Sequence, residues 1–229
     1  MQVIYEDNHL LIVNKSPGEI VQGDKTGDEP LVETLKKYLK EKYNKPGNVF
    51  LGVVHRLDRP VGGLVIFAKT SKALTRLNDM LREGKIHKTY LVLTRNRPPK
   101  EEDELKHYIT TVEKNNKSYA SLTAKPNSKE AKLRYKMVGE SENYFLVRVN
   151  LLTGRKHQIR VQLSAIGCPI KGDLKYGDKR SNPDGSISLI AESLDFEHPV
   201  THEQLHFEAP CPANDNLWKS IWPLKSVGK

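Results

Sequence analysis

Cysteine is nearly absent from this chain: Cys168 and Cys211 are the only two in 229 residues. Neither belongs to a CxxC pair, which excludes a disulfide framework and a cysteine-rich zinc module and fits a reducing compartment. Long apolar runs are missing too. None approaches the ~18 residues that cross a bilayer. The opening Met1-Gln2-Val3-Ile4-Tyr5-Glu6-Asp7 lacks the basic and apolar regions of a secretory signal. A cytoplasmic protein without membrane association is expected. There is no GxxxxGK[ST] loop, Gly62-Gly63 is not a dinucleotide fingerprint, and no GxSxG elbow occurs. No metal site is expected.

Acidic residues are outnumbered. Asp and Glu total 28 against 37 Lys and Arg, a net charge of +9. Such an excess favours a polyanionic partner through counterion release, so nucleic acid leads the candidates. The length suffices for one large domain or two small ones with a well-buried core.

Short β-like runs open the chain, Val3–Tyr5 and Leu10–Val13, before a turn at Ser16-Pro17-Gly18. Apolar spacing predicts a helix over Leu31–Tyr43, closed by Lys45-Pro46-Gly47-Asn48, and another over residues 71–83, capped by Ser71 and stopped at Gly84. Strands are expected at Val49–Val54, Leu64–Lys69, Ile86–Thr94, Leu133–Val138, Tyr144–Leu152, and near 187–196 and 204–208. Residues 95–104 read as a charged, Pro-rich loop and 114–132 as a polar hairpin or lobe edge. Gly154–Ala165 reads as a helix capped by Thr153. Strands outnumber helices and short turns join many of them. That argues for an α+β fold with a large, mostly antiparallel sheet.

Three segments place polar groups where the pattern is otherwise apolar. His55-Arg56-Leu57-Asp58-Arg59 runs through Pro60-Val61-Gly62-Gly63 into the buried-strand composition Leu64–Ala68. Lys88 and Tyr90 share one face of a strand by its period of two. Thr153-Gly154-Arg155-Lys156-His157-Gln158-Ile159-Arg160 leads to Gly167–Asp173. Arg155 at a helix N-terminus would oppose the dipole, so an acidic partner such as Asp58 is expected for it. One carboxylate between two arginines is either a structural ion pair or the centre of an active site.

The motifs, taken in order, resemble those of the RluA-type pseudouridine synthases. His55-Arg56-Leu57-Asp58 with Gly63–Lys69 is similar to that family's catalytic motif, and Asn14-Lys15-Ser16-Pro17-Gly18 to its N-terminal one. Ile86–Tyr90, Leu152–Arg160 with Gly167–Gly177, and Leu194-x-Phe196-x-His198-Pro199-x-Thr201 resemble three more. Two departures stand out: Val61-Gly62 replaces the family's usual Thr-Ser, and Ile190 its usual His. The first motif begins at residue 14, so a separate N-terminal RNA-binding domain is not expected. The resemblance implies a single catalytic domain over 1–229, acting as a monomer, with a central, mostly antiparallel sheet in two lobes flanked by helices.

The resemblance implies isomerisation of a uridine to pseudouridine within ribosomal or transfer RNA, an internally balanced reaction for which no metal and no cofactor is expected. Asp58 would be the essential carboxylate, competent as nucleophile or base. Tyr90 would stack on the uracil and offer its hydroxyl near C5, and Arg155 would hold Asp58 charged. Arg56 would fill the place vacated by the extruded base. His55, Lys15, Lys69, Lys88, Arg160 and Lys171 complete the RNA-binding candidates, the cationic side chains holding phosphates or tying loops. A binding protein without catalysis and an RNA hydrolase or glycosidase are the alternatives.

Overall fold

The computed structural model describes residues 2–222. In chain order the first elements are β1 (Gln2–Glu6), β2 (Leu10–Lys15), α1 (Leu31–Lys42), β3 (Gly52–Val53), β4 (Gly62–Ala68) and α2 (Ser71–Arg82). Next come β5 (His87–Thr94), β6 (Glu102–Val112), β7 (Lys117–Ser121), β8 (Lys129–Glu140), β9 (Phe145–Leu151) and α3 (Gln158–Ala165). The last are β10 (Leu189–Glu197), β11 (Gln204–Glu208) and α4 (Asn216–Ile221). Pairing is antiparallel throughout the described registers except between β4 and β10. The expected α+β class, mostly antiparallel, is what the chain adopts.

Contacts divide the chain into two compact units. The first comprises Met1–Lys88, Asp184–Ser186 and Ile190–Ala209, and the second Thr89–Pro183, Ile187–Leu189 and Pro210–Lys229. In the first unit every residue of β4 is buried, as its unbroken apolar run requires. One edge of β4 pairs with β2 from Gly63 to Ala68. Its other edge is split, with β10 against Gly62 and Gly63 and β3 against Phe67 and Ala68. The amphipathic α1 buries Leu31, Val32, Leu35 and Leu39. Pro30 precedes it without a capping side chain; instead Leu31 and Val32 donate their N–H groups to the Ile20 and Val21 carbonyls.

The second unit orders its strands β5-β9-β8-β6-β7. Its core includes Ile109, Ala131, Val161 and Tyr176. On the outer face of β6 and β8, Glu104 pairs with Arg134 and Glu102 with Lys136 across the strands.

Four local expectations need correction. Strand β6 lies across residues read as loop and as unassigned, because its inward positions, Leu105, His107 and Ile109, include a histidine that breaks the apolar alternation. The strand expected over 49–54 shrinks to Gly52–Val53. Thr70, not Ser71, caps α2, its Oγ1 accepting from the Ala73 N–H at 3.1 Å. The third helix starts at Gln158 rather than Gly154, since His157 stands in the left-handed region at φ 56°.

Glu6 ties the edge of the first unit together. Its carboxylate accepts from Lys42 (2.7 Å), Lys69 (2.8 Å), Tyr43 (2.7 Å) and Tyr38 (3.0 Å). Burial pushes its pKa upward, but these four bonds outweigh that and hold it at about 2, below the ordinary 4.5. A carboxylate lowered by folding stabilises the fold above its unfolded value and loses that contribution as pH falls through the folded one. Glu6→Gln is therefore expected to cost about 3 kcal/mol at neutral pH, read from urea unfolding. The difference from wild type should shrink between pH 4.5 and 2; a constant difference would contradict the assignment.

Candidate active site

The loop from His55 to Val61 is suspended at both ends within the first unit. At its start, β3 leaves β4, and the His55 ring takes over the vacated ladder position: its Nε2 accepts from the Ile66 N–H at 3.2 Å. Burial, helped by the nearby Lys88 charge, pushes His55 down to about 3. A neutral ring accepting at Nε2 carries its proton on Nδ1. The His55 ring thus serves the strand.

At the other end, Asp58 and Val61 close a turn, the Val61 N–H donating to the Asp58 carbonyl at 3.0 Å, while the Gly18 N–H reaches the Arg59 carbonyl at 2.8 Å. Under this turn lies Lys15, 1 % exposed, whose Nζ donates to the carbonyls of Ser16 (2.9 Å), Arg59 (3.2 Å) and Val61 (2.6 Å). Arg59 points outward to Thr26 and Asp28. Arg56 is exposed and makes no ion pair among the described residues. Gly63 then passes so close to β10 that a Cβ would sit 2.4 Å from the Ala191 oxygen. The two departures noted above meet here, because Ile190 and Gly62 are register partners.

Lys15 and Lys69 are expected to hold phosphates or to tie loops, and both make ties within the fold. Lys15 is enclosed, and Lys69, its side chain 9 % exposed, is committed to Glu6 and the Asp7 carbonyl. Lys88 is also largely buried, which lowers its pKa.

In the second unit, Tyr90 on β5 is 6 % exposed and pairs in register with Val149 of β9. Arg155 precedes α3 instead of lying within it, so the dipole argument for an acidic partner fails. Its Nε donates to the Glu130 carbonyl at 2.9 Å. Gln158 organises this turn: its Oε1 accepts from Thr153 Oγ1 (2.8 Å) and the Arg155 N–H (2.9 Å), and its Nε2 donates to the Lys132 carbonyl (2.9 Å). Arg160 ties α3 to the segment that follows it. It forms a buried bidentate pair with Asp173 at 2.7 and 2.8 Å and lies over the Tyr176 ring. Lys171 reaches Asn182 Oδ1 at 2.5 Å.

The metal-free expectation overlooks one spacing. His202-Glu203-Gln204-Leu205-His206 has the HExxH pattern, whose chemistry needs a helix to bring both imidazoles to one ion. Here His202 sits in a left-handed turn and His206 on β11. Each takes its own carboxylate, Glu197 and Asp195. Among the described residues no group of three potential ligands is placed to hold a metal ion.

With this geometry in place, comparison with known proteins decides the family. Residues 9–165 match the family described as RNA pseudouridylate synthase. The chain belongs to that family. It is thus an RNA pseudouridine synthase, an isomerase of the RluA type. The ribosomal large subunit pseudouridine synthase C of Rickettsia bellii is 34% identical over 218 residues, covering 93% of this chain and 69% of that protein. Its counterpart from Vibrio vulnificus is 31% identical, covering 98% and 69%. The human RNA pseudouridylate synthase domain containing 4 shares the fold at a TM-score of 0.77, with 23% identity over 93% of this chain and 89% of that one.

The pseudouridylate synthase match ends before β10, yet the last motif has a visible structural task. His198 Nδ1 accepts from the Val200 and Thr201 N–H groups at 3.1 and 2.8 Å, and its Nε2 meets Asp7 Oδ2 at 2.9 Å. Asp7 in turn closes the β1–β2 turn by accepting from the His9 and Leu10 N–H groups. One imidazole thereby fixes two turns far apart in sequence.

Proposed function

We propose that this synthase isomerises a uridine of ribosomal RNA, with Asp58 as its essential carboxylate. The observation that carries this reading is the Asp58 turn itself: a buried ammonium beneath it, a backbone bond closing it, and a glycine that lets β10 approach just beyond it. Structural ion pairs do not need such support, whereas a reacting group does. Ribosomal RNA is chosen because the two bacterial relatives described above carry the ribosomal large subunit in their names. The net charge of +9 suits any RNA.

In this reading the uridine leaves its stack, and exposed Arg56, two residues before Asp58, occupies the vacated place. The C1′–N1 bond breaks, the uracil turns, and C1′ bonds to C5. The C5 proton departs and N1 gains one, so the reaction is balanced without a cofactor. Tyr90 and Arg155 complete the catalytic set. Lys171 meets the ribose-phosphate backbone through charge alone.

The test uses large-subunit ribosomal RNA and transfer RNA transcripts carrying tritium at uridine C5, incubated with the chain and no additive. Tritium release from the ribosomal transcript is expected. Release from transfer RNA alone would overturn the substrate, and binding with no release would leave an RNA-binding protein in place of the proposed activity.

A further inference from the structure

Between Gly177 and β10, Lys179, Arg180 and Ser181 stand exposed between two buried side chains, Asp178 and Asn182. The whole stretch belongs to the second unit, and both anchors are tied within it. Asp178, 6 % exposed, accepts from Arg95 Nε at 2.8 Å and from the N–H groups of Gly172 (2.6 Å) and Lys179 (2.8 Å). Asn182, 7 % exposed, accepts from Lys171 Nζ at 2.5 Å and donates to Ser188 Oγ at 3.4 Å. Lys171 is itself fixed to the end of β5, its N–H donating to the Leu93 carbonyl at 2.9 Å. Arg95 and Lys171, the two cations that hold the anchors, both lie over the Tyr144 ring, at 5.3 and 5.7 Å.

A solvated loop needs none of this. Burying a carboxylate costs desolvation, and here three donors offset it. Burial pushes the Asp178 carboxyl up, but the Arg95 bond and the two N–H bonds outweigh that and hold it below its ordinary 3.8. The ties produce a fixed backbone that carries two cations outward. Lys179 and Arg180 form no ion pair among the described residues. The carboxylate of Asp178 is enclosed and engaged, and the next acid along the chain, Asp184, accepts from the Ser186 N–H and hydroxyl. The exposed charge of the loop is therefore positive alone. A guanidinium fork, a compact ammonium and a hydroxyl are the donors that phosphodiesters take. Fixing the backbone in advance lowers the ordering cost of such a contact.

We propose that Lys179-Arg180-Ser181 is a second RNA-binding site, presented by Asp178 and Asn182, that holds two phosphates of the RNA backbone away from the extruded uridine. It requires only that the chain binds RNA, so it stands apart from the reading of Asp58 as the catalytic carboxylate.

The experiment measures Kd for ribosomal and transfer RNA transcripts between about 50 and 200 mM KCl. Values of kcat and KM come from tritium release, and urea unfolding checks the fold. Lys179→Ala/Arg180→Ala should raise Kd about tenfold at ~100 mM KCl and reduce the salt slope by about 1.5. Both transcripts should respond alike, because phosphate contacts carry no sequence information. The loss in kcat/KM should sit in KM. As a control, Lys40→Ala/Lys72→Ala removes two exposed, unpaired cations of the first unit. Its slope should change by less than about 0.5. Asp178→Asn separates presentation from charge. It makes the loop more positive, so charge alone predicts tighter binding, whereas a loosened loop predicts a Kd raised about fivefold. Should that variant fail to fold, Asn182→Ala frees the other anchor without a change of charge and should raise Kd by a similar factor. An unaltered salt slope in the Lys179/Arg180 variant would overturn the proposal. So would an equal loss in the control, tighter binding by Asp178→Asn, or a fall in kcat at unchanged KM. An active Asp58→Asn enzyme would instead sink the catalytic reading and leave these affinities as they are.

Discussion

Asp58→Asn is expected to reduce pseudouridine formation by at least ~10⁴-fold, about 5 kcal/mol in the activation barrier. Asparagine keeps the size and shape of the side chain and removes its charge and basicity, so neither nucleophilic nor general-base chemistry survives. The local fold should not change. The bond that closes the turn uses the Asp58 carbonyl, and Lys15 is held by the Ser16, Arg59 and Val61 carbonyls, none of which the substitution alters. The measurement is single-turnover conversion on ribosomal RNA, with urea unfolding and RNA affinity as controls. Retained activity within tenfold of wild type would mean that Asp58 is a structural partner after all.

Gly63→Ala is expected to be the most damaging single change to the fold. Gly63 has φ +112°, outside the range of L side chains, and a methyl group there would meet the Ala191 oxygen at 2.4 Å and nitrogen at 2.5 Å. Both are backbone atoms of β10, so neither can swing away. Strain and overpacking together should cost about 4 kcal/mol, a large share of a typical domain's stability. Gly18→Ala supplies the control, because Gly18 also has positive φ, +91°, but open space around its Cβ position. Its cost should be the backbone strain alone, about 1–2 kcal/mol. Equal urea midpoints for the two variants would show that the strand approach at Gly63 does not constrain the fold.

What the sequence revealed and concealed follows from how far each signal reaches. The helix from Leu31 and the strand from Gln204 carry complete local patterns, so periodicity places them within a residue or two. The motifs around Asp58, Tyr90 and Arg155 are legible as ordered resemblances, and the family match agrees with them. The state of an individual cation is not legible. Lys15, Lys69 and Arg160 look like surface charges in a basic chain, yet their partners are Val61, Glu6 and Asp173, 46, 63 and 13 residues away. Only the fold brings such partners together. The start of α3 was misjudged for a different reason. Gly154 to His157 reads as a capped helix, while the Gln158 side chain satisfies the turn in its place. The pairing of Ile190 with Gly62 is likewise invisible in one dimension, because a parallel neighbour 128 residues away sets it.

The most direct measurement is position-resolved mapping of pseudouridine in ribosomal RNA from cells lacking this gene, restored with either the wild-type or the Asp58→Asn chain. The account predicts at least one large-subunit uridine that is fully isomerised with the wild-type chain and remains uridine both without the gene and with Asp58→Asn. Identical maps in all three would contradict it.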